Sequence, residues 1–162
     1  MSSDRREFLG QVAAAAAGLG TCSLTATAQR AAIMPTPRAS ALMALFGLKY
    51  PIFSAGMGTT AVPELAIAVS NAGGLGAVGT GLNPTADLVR QRVLKARSAT
   101  DRPFAVNILL ARDHDALPVA LDVGAPIIQF AWGIPTAEAV AAVRKAGARL
   151  GIQISAAAGA RR

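Results

Sequence analysis

Two carboxamides stand inside runs that are otherwise aliphatic. Asn107 interrupts Phe-Ala-Val-Asn-Ile-Leu at 104–109, and Gln153 interrupts Leu-Gly-Ile-Gln-Ile-Ser at 150–155. A buried amide left without a partner costs about 1–3 kcal/mol. Each amide also offers a donor and an acceptor together. An amide in such a strand therefore points to a ligand contact; the alternative is a structural amide satisfied in the core, and the signal is weaker at Gln153. Met57, behind Ala55 and Gly56, serves equally as core filler or as apolar cover for a ligand. Trp132 caps a site mouth or simply packs. His114 is the only histidine and Cys22 the only cysteine. An internal disulfide, a cysteine zinc site and a multi-histidine metal site are thereby excluded. Any Ser-His-Asp triad would have to use His114, which falls in the polar run Asp113-His114-Asp115 and reads as a surface loop residue. No metal site is expected.

The elements that must position these residues follow from the apolar patterning. From Tyr50 onward, short aliphatic runs alternate with helical patterns, which predicts βα units and a parallel sheet. Strands are expected at Ile52–Ala55, Leu75–Val78, Phe104–Leu109, Pro126–Phe130 and Arg149–Ile154. Helices are expected from Glu64 to Ala72 behind Pro63, from the Asn83-Pro84-Thr85 opening to about Ser98, in a short stretch ending at Gly124, and from a Thr136 cap to near Gly147. Residues 29–40, with Pro35 and Pro37, read as a linker, and Ala41–Leu48 as a short apolar helix. Met57, Asn107, Trp132 and Gln153 then lie at or near the carboxyl ends of strands. The run Gly73-Gly74-x-Gly76 precedes a strand, so it is not a dinucleotide fingerprint; it permits close helix–strand packing.

The strands are nearly continuously apolar, as expected when both faces are covered. Two architectures fit: an open doubly wound sheet, or part of an eight-stranded barrel. A barrel typically takes about 250 residues, so the length of 162 residues by itself favours the open sheet. Hydrophobic residues make up 52% of the chain, enough to bury a core. The net charge of +7 comes from 16 Lys and Arg against 9 Asp and Glu. These cations are scattered, as Arg90, Arg92, Lys95 and Arg97 on one helix and Arg144, Lys145 and Arg149 around the end of another. Without interleaved aromatics or a nucleic-acid module, they read as a solvated helix face, and no nucleic-acid partner is expected.

The N-terminus reads as an address. Asp4-Arg5-Arg6-Glu7-Phe8-Leu9-Gly10 resembles the twin-arginine export motif, with the arginine pair, Phe8 and Leu9 matching. A weakly apolar run from Val12 to Leu19 follows, too short to span a bilayer, and Ala26-Thr27-Ala28 places small residues for cleavage before Gln29. Residues 1–28 are thus expected to be a signal peptide directing the protein to the periplasm, the alternative being a frayed N-terminus on a cytoplasmic protein. Lipidation at Cys22 is disfavoured by Thr21 before it. No stable membrane anchor is expected.

Motif detail outweighs length and favours the barrel. Tyr50-Pro51-Ile52-Phe53-Ser54-Ala55-Gly56-Met57 resembles the first strand of the nitronate monooxygenases, formerly called 2-nitropropane dioxygenases. That family has Ala-Pro-Met where this chain has Ala55-Gly56-Met57. The stretch from Glu64 through Ser70-Asn71-Ala72-Gly73-Gly74-Leu75-Gly76 is similar to the family nearly residue for residue, and Thr100-Asp101-Arg102-Pro103-Phe104-Ala105-Val106-Asn107 matches a further block. The resemblance runs from about Leu42 to the end. It implies a partial TIM (β/α) barrel over 41–162, with about five of the eight parallel strands. It also implies FMN as cofactor, contacted by Ala55, Gly56, Met57, Asn107 and Gln153.

The activity implied is FMN-dependent oxidation of nitronates or nitroalkanes with O₂. The family's proton-abstracting histidine follows the sixth strand in a Glu-Ala-Gly-Gly-His segment, and its phosphate loops come later still. This sequence ends before both, so no catalytic residue is assigned and the chain is expected to be truncated. Two alternatives stay open: a flavin-dependent enoyl-acyl-carrier-protein reductase, which shares the same blocks, and a non-catalytic exported half-barrel. Five strands leave two open edges, which invite self-association.

Overall fold

A computed structural model of the chain describes residues 35–111, 115–157 and 159. The expected signal peptide, Cys22 and His114 lie outside the described residues.

The first helix, α1, spans Pro37–Phe46. It begins inside the stretch expected to be linker, because the Thr36 hydroxyl accepts from the Ala39 N–H at 3.3 Å and Pro37 occupies the first turn. There follow α2 (Pro63–Asn71), β1 (Gly76–Gly79), α3 (Ala86–Ala99), β2 (Phe104–Leu109), α4 (Ala116–Asp122), β3 (Ile127–Ala131), α5 (Ala137–Lys145) and β4 (Arg149–Ile152). All strand pairs are parallel, and the sheet order is β1-β2-β3-β4. This sequential order is what a barrel segment requires; a doubly wound sheet reverses its order at a switch point.

The expected first strand, Ile52–Ala55, is reduced to a single bridge between Phe53 and Leu75. The Leu75 N–H donates to the Ile52 carbonyl at 2.8 Å and the Ser54 N–H to the Leu75 carbonyl at 2.9 Å. The next rung is taken by a side chain: the Ala77 N–H donates to Ser54 Oγ at 2.7 Å. The segment therefore lies beside β1 in the position of a strand, while its ladder stops after one residue.

Side chains alternate across the sheet. Val78, Val106, Ile108, Ile128 and Phe130 pack with Val89, Val93, Ala96, Ala120 and Val143 from the helices into the main core. On the opposite face Ala77, Ala105 and Ile127, one register row, pack with Leu75 and with Phe46 from α1. The Arg149 guanidinium continues that row and lies 5.9 Å from the Phe46 ring centroid.

Helix α2 approaches β1 closely because Gly76 has no side chain: a Cβ there would overlap the Ala66 carbonyl. Ser70, 1% exposed, accepts from the Gly76 N–H at 3.1 Å and donates to the Pro103 carbonyl at 2.9 Å, tying α2 to β1 and to the entry of β2. Close packing is the role expected for this glycine run.

The cations of α3 do more than form a solvated face. Arg90 pairs with Asp122 at 2.9 Å and Lys95 pairs with Glu64, while Arg92 donates to the Gly79 carbonyl and Arg97 to the Val123 carbonyl at 2.7 Å. Helix α3 is thereby bound to α2, to α4 and to the carboxyl end of β1.

Candidate functional site

The face of the sheet away from the main core carries three successive register rows. The first is the Ala77–Ala105–Ile127–Arg149 row that covers Phe46. The second pairs Gly79 with Asn107, Asn107 with Gln129, and Gln129 with Gly151. The third pairs Leu109 with Ala131, and Gln153 follows β4 at that level, its N–H donating to the Phe130 carbonyl at 2.8 Å. An aliphatic plug at the amino end thus gives way to amides towards the carboxyl ends, where ligands sit in such folds.

A cleft of about 490 Å³ opens there. Its walls include Ala55, Gly56, Met57, Gln129, Trp132 and Gln153, so four of the five residues expected to hold a cofactor line one space. Asn107, the fifth, lies beneath the wall. Its carboxamide rests against Gly56, where a Cβ would overlap it. Asn107 is 3% exposed. Its backbone carbonyl accepts from both the N–H and the hydroxyl of Thr80, at 3.2 and 3.1 Å, yet its side-chain amide has no hydrogen-bond partner among the described residues.

Gln129 is the residue missed in reading the sequence. It stands next to Asn107 in the same row, half-buried, and lines the cleft. The signal that singles out Asn107 is equally present in Ile127-Ile128-Gln129-Phe130-Ala131. Trp132 follows directly with φ +57, the one left-handed non-glycine residue among those described, and it is 59% exposed. A large side chain is disfavoured in that region by about 1–2 kcal/mol, and strain of this kind collects at functional sites. Here it turns the indole to the cleft mouth.

The described cleft walls are uncharged, and the resolved pKa displacements lie on the helices. The Glu64 carboxyl is lowered chiefly by its hydrogen bond from Lys95, and that of Glu138 chiefly by its own backbone N–H, with Thr136 second. Among the described residues no three His, Cys, Asp or Glu side chains gather as a metal site. The cleft offers amide donors and acceptors, a thioether, an indole and a threonine hydroxyl. Such a set can hold and orient a flat polar-edged ligand; it contains no acid or base that titrates near neutrality.

Parallel strands in consecutive order, helices over one face and a polar cleft at the carboxyl strand ends define this chain as part of a (β/α) barrel. Residues 39–118 match the family model described as nitronate monooxygenase, and this part of the chain belongs to that family. A nitronate monooxygenase of Paraburkholderia phytofirmans is 31% identical over 150 aligned positions, covering 68% of this chain and 41% of the relative. Among solved structures, FabK from Thermotoga maritima superposes with a TM-score of 0.69 at 32% identity, over 75% of this chain and 39% of that one. Nitroalkane oxidase from Streptomyces ansochromogenes superposes with a TM-score of 0.60 at 31% identity, over 69% and 42%. The chain spans about two fifths of the length of each of these three proteins.

Proposed function

We propose that this chain forms the ring-binding side of an FMN-dependent oxidoreductase of the nitronate monooxygenase type, acting on nitronates or nitroalkanes with O₂. The observation that carries this reading is the Asn107 carboxamide, 3% exposed and without a hydrogen-bond partner among the described residues, beneath the Gly56 wall of an uncharged cleft whose lining carries Gln129 from the same register row. An isoalloxazine ring fits these residues, since its carbonyls and ring nitrogens call for donors and acceptors while its faces call for apolar cover. Asn107, Gln129 and Gln153 would hold its polar edge, Ala55 and Gly56 would face it with backbone, and Met57 and Trp132 would shield it from water.

When bound, FMN supplies the electron chemistry, taking two electrons from the substrate and passing them to O₂. The described residues bind and orient. They supply no base for an α-proton, which matters for the choice of substrate. A nitronate is already deprotonated at its α-carbon, whereas a neutral nitroalkane must first lose that proton. With FMN added, the chain is therefore expected to consume O₂ with propionate 3-nitronate faster than free FMN does, and far more slowly with 2-nitropropane. Oxygen uptake no faster than the free-flavin blank, from protein that binds FMN, would contradict the oxidase reading.

Export by the twin-arginine route to the periplasm belongs to the same proposal, supported by Arg5-Arg6, Phe8-Leu9 and the small residues Ala26-Thr27-Ala28. A reporter fused behind residues 1–28 is expected in the periplasm, and Arg5→Lys with Arg6→Lys is expected to keep it in the cytoplasm. Self-association is proposed at β4, which among the described residues pairs only with β3, ends in exposed Ile152 and lies near exposed Ile134 and Ile154. Among the described residues no helix is long and apolar enough to cross a membrane.

A further inference from the structure

We infer that Met57 is an oxidative modification site: hydrogen peroxide converts its thioether to the sulfoxide, and the sulfoxide weakens the hold of the cleft on flavin. The second half of this inference rests on the flavin reading above; the first half does not. Met57 carries the only sulfur on the described cleft wall, and it is 45% exposed although its side chain is long and apolar. Its neighbours Gly56 and Gly58 have no side chains to screen it. The backbone around it is held in place. The Thr60 N–H donates to the Met57 carbonyl at 3.1 Å, and the Gly79 N–H donates to the Ala61 carbonyl at 2.8 Å. The loop thus stays on the ends of the strands and keeps the thioether at the cleft. Met43, on α1, is half-buried and is not part of that wall; Met1 and Met34 lie outside the described residues.

A thioether has no proton to lose, so access of the oxidant decides which methionine reacts. The sulfur lone pair attacks one oxygen of H₂O₂, an S–O bond forms, the O–O bond breaks, and the other oxygen leaves as water. Sulfur is oxidised by two electrons and the peroxide is reduced by two. The oxidant belongs to the chemistry of the site, since O₂ that accepts two electrons and two protons becomes H₂O₂. The product replaces a flexible apolar side chain by a polar, chiral one. On a wall that would cover an aromatic ring, this exchanges a favourable sulfur–aromatic contact for an S=O dipole that prefers water. A bound ring in turn covers the sulfur, so the flavin-free protein is the sensitive form.

The test treats flavin-free wild type with H₂O₂ in the dark and follows each methionine by peptide mass spectrometry. Met57 is expected to form its sulfoxide several-fold faster than Met43, and equal or slower oxidation of Met57 would overturn the modification site. Saturating FMN is expected to slow oxidation at Met57 and leave Met43 unchanged. No protection from FMN that does bind would overturn the placing of the sulfur against the ring.

FMN titrations before and after peroxide then read the consequence. Oxidised wild type is expected to bind FMN roughly threefold to tenfold more weakly than untreated wild type, the range of a lost sulfur–aromatic contact. Met57→Leu, whatever its starting affinity, is expected to bind FMN equally before and after the same treatment. A loss as large in Met57→Leu as in wild type would place the damage elsewhere and overturn the inference. Wild type that binds no FMN even before oxidation would sink the flavin reading, and the relative rates at Met57 and Met43 would still decide the modification site.

Discussion

At Asn107 the chain carries a polar side chain that its own described residues leave unsatisfied. Such a group costs about 1–3 kcal/mol when nothing else pairs with it. Replacement by an apolar residue of similar size, Asn107→Leu, is accordingly expected to stabilise the flavin-free protein by roughly 1 kcal/mol in urea unfolding. Few substitutions of a core residue raise stability, so a raised midpoint would single out the unpaired amide, and a lowered one would count against it. Ser70 is the contrasting case, since both its hydrogen bonds are made inside the fold. Ser70→Ala leaves the Gly76 N–H and the Pro103 carbonyl without it and is expected to destabilise by about 1–3 kcal/mol in the same assay. Asn107 and Gln129 are legible in the sequence because an amide in an aliphatic strand is itself anomalous. The close contact of Gly56 with the Asn107 carboxamide is not, because the two residues lie 51 positions apart and meet only in the fold.

Element by element, the strands announce themselves by short aliphatic runs, and Phe104–Leu109 falls where it is expected. The segment 52–55 departs from expectation for a local reason: Ser54 Oγ intercepts the Ala77 N–H that would otherwise extend the ladder. Helix α1 starts early because Thr36 and Pro37, which look like linker residues, are also good cap and first-turn residues. Helix α5 is capped by Thr136, whose hydroxyl accepts from the Ala139 N–H at 3.2 Å, so Thr136→Ala is expected to cost about 1 kcal/mol. The same first turn gives a pH signature. The folded Glu138 carboxyl lies below the usual glutamate range, through its own backbone N–H and then Thr136. Its contribution is complete above the unfolded glutamate pKa and is lost as pH falls through the lower folded value. Thermal midpoints measured on acidification are expected to decline less steeply in Glu138→Gln than in wild type.

At the scale of the whole molecule, length and pattern admit two architectures, and the motif resemblance selects the barrel that the consecutive strand order then bears out. Patterning alone cannot do this, because buried parallel strands look alike in both folds. The free side of β4, with Ile152 43% exposed beside Ile134 and Ile154, is expected to produce concentration-dependent association in sedimentation velocity. Ile152→Lys is expected to weaken it, edge charge being a deterrent to strand pairing; sedimentation unchanged by concentration would remove that proposal without touching the site.

The central claim is that Asn107 and Gln129, amides in one sheet row without side-chain partners among the described residues, are there to meet a flavin ring. Its most direct test is a titration of FMN into wild type and Asn107→Leu, both verified as folded by circular dichroism and read by quenching of flavin fluorescence. Saturable quenching in wild type that is at least roughly tenfold weaker in the variant is the expected result. Equal binding by the two proteins, or none by wild type, would contradict it.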